Sequence, residues 1–241
     1  MSSTPASDDG LDGGAPDVPG SGGGQVREPE RQGVLDVLGA LACGEMSAFE
    51  RMAADARLAP TLSDKAALAG MAAGEFEHFR ALCDRIRELG VEPEDAMEPF
   101  VAPLDTFHDL TAPADWLESL VKAYVGDGIA RDFYREVAAY MDPRSRDLVR
   151  EVLADMGQAA FAVDRVRAAI ASNPAIGGRL ALWARRLVGE ALTQSQLVIA
   201  EHDELAGLII GGTGDLAGVA RLLQRLTAAH SARMQALGLN G

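Results

Sequence analysis

The chain has 241 residues, 36 acidic side chains against 22 basic ones, and a net charge of −14. Such a charge repels nucleic acid unless basic side chains are gathered locally, and two cysteines in a chain of this size exclude a disulfide framework. No stretch reaches the roughly 18–20 uninterrupted apolar residues of a membrane helix, and the start lacks the basic and apolar regions of a secretory signal. A cytoplasmic protein with no membrane partner is therefore expected, with Cys43 and Cys83 as reduced core thiols.

Residues 1–30 are Gly, Ser, Pro and Asp with almost no large apolar side chain. They cannot bury enough surface to offset the entropy of ordering, which predicts a disordered acidic tail. Residues 31–241 are rich in Ala, Leu and Val and poor in aromatics, which suits long helices. The first helix is predicted from Gln32 to Leu58, on Leu38, Leu41, Phe49 and Met52, and stops before Pro60. The second is capped by Ser63-Asp64 and runs to Gly90. Residues 91–114 contain Pro93, Pro99, Pro103 and Pro113 and read as a long irregular crossover. A third helix follows from Pro113 to Met141. Asp142-Pro143 opens a fourth that runs unbroken to Ser172. Asn173-Pro174 opens a fifth reaching Ile210, and a sixth ends at Gly238. The predicted architecture is all-α: a four-helix core over about 32–171 with two additional C-terminal helices over about 175–238.

A pattern of acids repeats along this frame. Gly44-Glu45 on the first helix matches Gly126-Asp127 on the third, and Glu75-Phe-Glu-His78 on the second matches Asp155-Met-Gly-Gln158 on the fourth. Asp84-Arg-Ile-Arg87 and Asp164-Arg-Val-Arg167 follow the second and fourth acids at the same distance. At helical spacing each acid lies on an apolar stripe. Glu45 falls between Leu41 and Phe49, Glu75 between Met71 and Phe79, Asp127 between Leu120, Tyr124 and Ala130, and Asp155 between Val152 and Ala159. Inward carboxylates need neutralising, by a metal or by a basic side chain such as Arg131 or Arg85. A carboxylate on one helix and a carboxylate-x-x-His on the next, used twice, is how a four-helix bundle builds a two-metal site. Oxygen and imidazole ligands suit iron, with manganese also compatible. The glycines before Glu45 and Asp127 suggest close approach of a neighbouring helix.

These four segments resemble the ligand segments of the ferritin-like di-iron proteins, and among them the MiaE-like tRNA hydroxylases acting on isopentenyl-adenosine. The resemblance implies a ferritin-like bundle holding one or two iron ions. Glu45 and Asp127 would be terminal ligands, Glu75 and Asp155 bridging ligands, and His78 and Gln158 would stand in the imidazole positions. It also implies an oxygen-dependent monooxygenase, an external reductase as electron source and tRNA as a partner. Asp for Glu and Gln for His in the second copy predict an asymmetric site, intact in the half built from Glu45, Glu75 and His78. The alternative is a non-catalytic helical scaffold or binding module whose metal site has decayed.

Elsewhere the residues carry less. Arg179, Arg185 and Arg186, with Arg165 and Arg167, form the densest basic region and read as a solvated face. The Gly-rich break after Ile210 follows a helix and lacks the ending of a phosphate loop. His202, flanked by Glu201, Asp203 and Glu204, reads as solvated.

Overall fold

The computed structural model describes Met1, residues 28–154 and residues 157–239, with residues 28–30 and 216 in backbone only. The segment read as an acidic tail lies, over residues 2–27, outside the described residues, as do Asp155 and Met156.

α1 (Glu28–Asp55) and α2 (Leu62–Glu88) are joined by a short 3₁₀ turn at Ala56–Leu58, and fold back on each other. Thr61, not Ser63, caps α2. Its hydroxyl accepts from the Asp64 N–H at 3.1 Å and donates to Asp64 Oδ2 at 2.7 Å, which satisfies one of the open donors of the first turn.

The predicted irregular crossover is helical. α3 (Pro93–Leu110) begins with Pro93 in the first turn and carries Pro99 and Pro103 in its interior. Each interior proline removes one helical hydrogen bond. Packing overrides that penalty: Phe100 is 2% exposed and meets Ala40 and Cys43 of α1, with Met97 and Leu104 beside it.

α4 (Trp116–Lys122), a π-helical turn (Ala123–Asp127) and α5 (Gly128–Ala138) make the next rod. α6 (Pro143–Val152) and α7 (Gln158–Ser172) replace the single helix predicted over 143–172. Gly157 stands between them at φ 97°, a left-handed conformation that only glycine adopts without a steric penalty.

The start of α6 is pinned from two directions. Asp142 accepts from the N–H groups of Arg144 and Ser145, both at 3.1 Å, and from Arg85 Nη2 at 3.1 Å, while Arg85 Nε donates to Ser145 Oγ at 2.9 Å. Burial pushes the Asp142 carboxyl up, but the Ser145 hydroxyl and N–H, and then Arg85, outweigh it and hold the carboxyl below its usual range. Asp142→Ala is expected to lower stability by about 1–2 kcal/mol at pH 7, as loss of a helix cap does. The native carboxyl binds its proton less readily than the unfolded one, so its contribution is present above the ordinary value of 3.8 and disappears as pH falls through the lowered native value. Urea unfolding of both proteins at pH 7 and pH 3 checks this, with the difference shrinking at pH 3.

α8 (Ala175–Glu201), α9 (Asp203–Thr213) and α10 (Leu216–Ala236) complete the chain, so the predicted fifth helix breaks at His202. Glu201, Asp203 and Glu204 are exposed, but His202 turns inward from that run. Its ring stacks on Phe100 at 4.7 Å between centroids, and Nδ1 lies 3.8 Å from Asp36.

Three further apolar clusters frame the interior among the described residues. One joins Leu38 and Leu41 to Leu82 and Ile86, Val137, Val149 and Leu205. A second joins Leu120 and Val125 to Val166, Leu180 and Leu187. The third is Met52, Ala56, Leu68 and Ala72. Glu45, Glu75 and Asp127 each fall, along their own helices, between two of these clusters. Among the described residues no single helix is long and apolar enough to cross a membrane.

Candidate metal centre

α1 and α2 bring the first half of the predicted constellation together. Glu45 is 7% exposed and Glu75 2% exposed. His78 Nδ1 lies 3.4 Å from Glu45 Oε2 and 3.4 Å from Glu75 Oε2. One ligand atom from each of the three lies within 4.8 Å of the other two. Glu45 Oε2 is buried and receives no hydrogen bond among the described residues.

The charges respond to this crowding. Burial, aided by the neighbouring Glu75, pushes the Glu45 carboxyl well above the usual range, against the pull of His78. Burial also acts upward on Glu75, but His78, Glu45, Arg131 and Gln158 together bring it down to about 2. Glu45 first, then Glu75, raise His78 to about 9. The three therefore share protons: Glu75 is the ionised carboxylate, His78 the cation and Glu45 the carboxyl that prefers its proton.

The second half differs. Gln158 Nε2 donates to Glu75 Oε1 at 2.5 Å, Arg131 Nη2 donates to Gln158 Oε1 at 2.5 Å, and the same Nη2 lies 3.4 Å from Glu75 Oε1. Gln158 is thus a bonding partner of Glu75 across the bundle, and Arg131 is the basic residue that reaches the site. Arg85, the other candidate, goes to Asp142 and Ser145 instead. Asp127 does not join the Glu45, Glu75 and His78 group. It is half-buried on the wall of an adjoining cavity. Burial and then the Glu75 charge push it up to about 7, against Arg131 and Lys122. Asp155 lies outside the described residues.

Gly44 has nothing within 4 Å of the position a Cβ would take, and Gly126 only Phe107 Cζ at 3.9 Å, so neither marks a close helix approach.

Residues 29–212 match the family described as the ferritin-like domain of actinomycetes. The chain belongs to this ferritin-like family. No curated protein matches it. The ferritin-like bundle accounts for the inward acids, and its two halves fit a metal ion unequally. In the first, two carboxylates and an imidazole converge and one carboxylate oxygen lacks a donor, the condition in which a cation is favourable. In the second, a guanidinium supplies fixed positive charge beside Glu75 Oε1, and a cation brought there would meet it at close range.

Lys122 and Arg233 are the residues near the site whose importance the sequence concealed. Lys122 is buried, donates to Thr111 O at 2.9 Å and lies 5.4 Å from the Phe107 ring centroid. Burial lowers it to about 8.

Proposed function

We propose that this ferritin-like protein binds one divalent transition-metal ion, iron or manganese, through Glu45, Glu75 and His78, and that Arg131 takes the place of a second ion. The grouping of those three ligand atoms, with Glu45 Oε2 left without a hydrogen bond, carries the reading. A bound iron ion supplies redox chemistry and Lewis acidity. The chain's own residues hold and shield it: Gln158 and Arg131 fix the orientation of Glu75, while Leu41 and Met52, on either side of Glu45 along α1, keep water from the interior.

Uptake requires His78 and Glu45 to give up their protons. Affinity is therefore expected to rise from pH 6 to pH 9, with protons released on binding, which calorimetry in buffers of different ionisation enthalpy measures. No proton release would remove His78 and Glu45 from the ligand set.

Metal analysis after anaerobic loading tests the stoichiometry. One iron per chain is expected. Two would restore the di-iron reading with Asp127 and Gln158 as ligands, and none would favour the non-catalytic scaffold. Gln158→His alone is expected to leave one iron, because Arg131 still faces Glu75. Only Gln158→His combined with Arg131→Ala should admit more.

The four ligand segments support a finer reading, oxygen-dependent hydroxylation with electrons from an external reductase and isopentenyl-adenosine in tRNA as substrate. Two observations weigh against its tRNA part. The net charge is −14. The densest basic region is the exposed face expected of it, and four of its five arginines already have partners within the chain: Arg179 pairs with Asp115 and Glu118, Arg165 with Asp64 at 2.7 Å, and Arg167 and Arg186 donate to backbone carbonyls. Iron-loaded protein incubated with oxygen, a reductant and tRNA tests it directly; an unmodified nucleoside would retire the tRNA hydroxylase reading.

A further inference from the structure

Beside the metal centre lies a half-open cavity of about 250 Å³. Leu68, Met71 and Phe161 line its apolar side, and Arg131, Arg135 and Arg233 line the other, with Asp127 and Asp132. The three guanidiniums differ in what they already bind. Arg131 is engaged by Gln158 and Glu75. Arg135, 57% exposed, stands at the rim 3.4 Å from Asp132. Arg233 is only 13% exposed and gives Nη1 to Asp132 at 2.5 Å. Its Nε and Nη2 are buried and have no acceptor among the described residues.

Those two nitrogens form the parallel edge of the guanidinium, the fork that takes both oxygens of a carboxylate. A buried donor left without an acceptor costs about 1–3 kcal/mol, and more when charged. Gly128 makes room for the arrangement, since a Cβ there would lie 2.7 Å from Arg233 Cδ and 2.8 Å from Nε. A charged fork beside a mostly apolar wall is the usual makeup of a small-molecule site.

We propose that this cavity binds a small carboxylic acid with an apolar body, its carboxylate on the Nε–Nη2 edge of Arg233 and its body against Leu68, Met71 and Phe161. The site is independent of a metal at Glu45, Glu75 and His78, none of which lines the cavity. The apolar wall disfavours a bare inorganic anion, which has nothing to bury there.

The full chain, treated with a chelator so that no cation can take the carboxylate, is titrated calorimetrically with octanoate, 1-octanol and inorganic phosphate. Octanoate is expected to bind roughly ten- to hundredfold more tightly than octanol, the value of a charge-assisted hydrogen-bonded pair, and phosphate should not displace it. Arg233→Gln should bring octanoate down to the octanol level. Because that variant also breaks the Asp132 pair, Met71→Trp, which fills the apolar side and leaves Arg233 in place, should abolish octanoate binding by itself. Equal binding of octanoate and octanol, displacement by phosphate, or unchanged octanoate binding in Met71→Trp would overturn the proposal.

Discussion

Gly39→Ala is expected to lower the unfolding free energy by about 3 kcal/mol, the upper end of what overpacking costs, while Gly44→Ala five residues on should leave stability unchanged or raise it by about 0.5–1 kcal/mol. Both glycines are interior to α1, and helix propensity alone favours alanine at both. Their surroundings decide the sign. A Cβ on Gly39 would lie 2.0 Å from the backbone oxygen of Ala96 and 2.7 Å from its carbonyl carbon, whereas Gly44 faces open space. Ala96 is in α3, so no side-chain rotation relieves the clash. α1 and α3 must separate, and the contacts of Phe100 with Ala40 and Cys43 loosen with them. Urea denaturation of the two variants side by side measures this; equal midpoints would refute the close approach.

Glu45→Gln is expected to stabilise the metal-free protein by about 1–3 kcal/mol at pH above the ordinary glutamate pKa, because the amide cannot ionise where burial penalises a carboxylate, and to remove its response to metal. Glu45 binds its proton more tightly in the native state than unfolded. The native state is therefore penalised as pH rises from the ordinary glutamate value of 4.5 towards the raised native one. The variant escapes that penalty, so its advantage should grow as pH rises above the ordinary value and vanish below about 4.5, where Glu45 is protonated in both states. Adding iron(II) or manganese(II) should reverse the order. Wild type gains stability with the logarithm of metal concentration over its dissociation constant. The variant should lose more than the roughly 10–100-fold in affinity that removal of an outer partner costs. Thermal melts with and without metal read both effects at once, and an equal metal-induced shift in the two proteins would eliminate Glu45 as a ligand.

Helix identity and the first half of the site were legible because α1 and α2 are regular. With true 3.6-residue spacing, Leu38, Leu41 and Met52 put Glu45 inside, and the three-residue step from Glu75 carries His78 to the same side. Where the backbone departs from that spacing, the reading failed. Ala130, placed on the inner stripe with Asp127, is exposed, because the π-helical turn at Ala123–Asp127 shifts the face of everything after it. Gly157 interrupts the helix that would have set Asp155 and Gln158 three residues apart on one face. The prolines of α3 hid a helix that tertiary packing holds. Arg233 was beyond reach for another reason: it meets the cavity from a helix about a hundred residues along the chain, with no local pattern to announce it.

That widened turn also fixes which side chain looks across at Glu75. Each residue of an α-helix advances the azimuth by about 100°, so shortening the stretch by one position would swing α5 by over a quarter of a revolution and carry Arg131 out of register with its acid. On the one-ion reading proposed above, the guanidinium beside Glu75 thus depends on backbone phase as much as on side-chain identity.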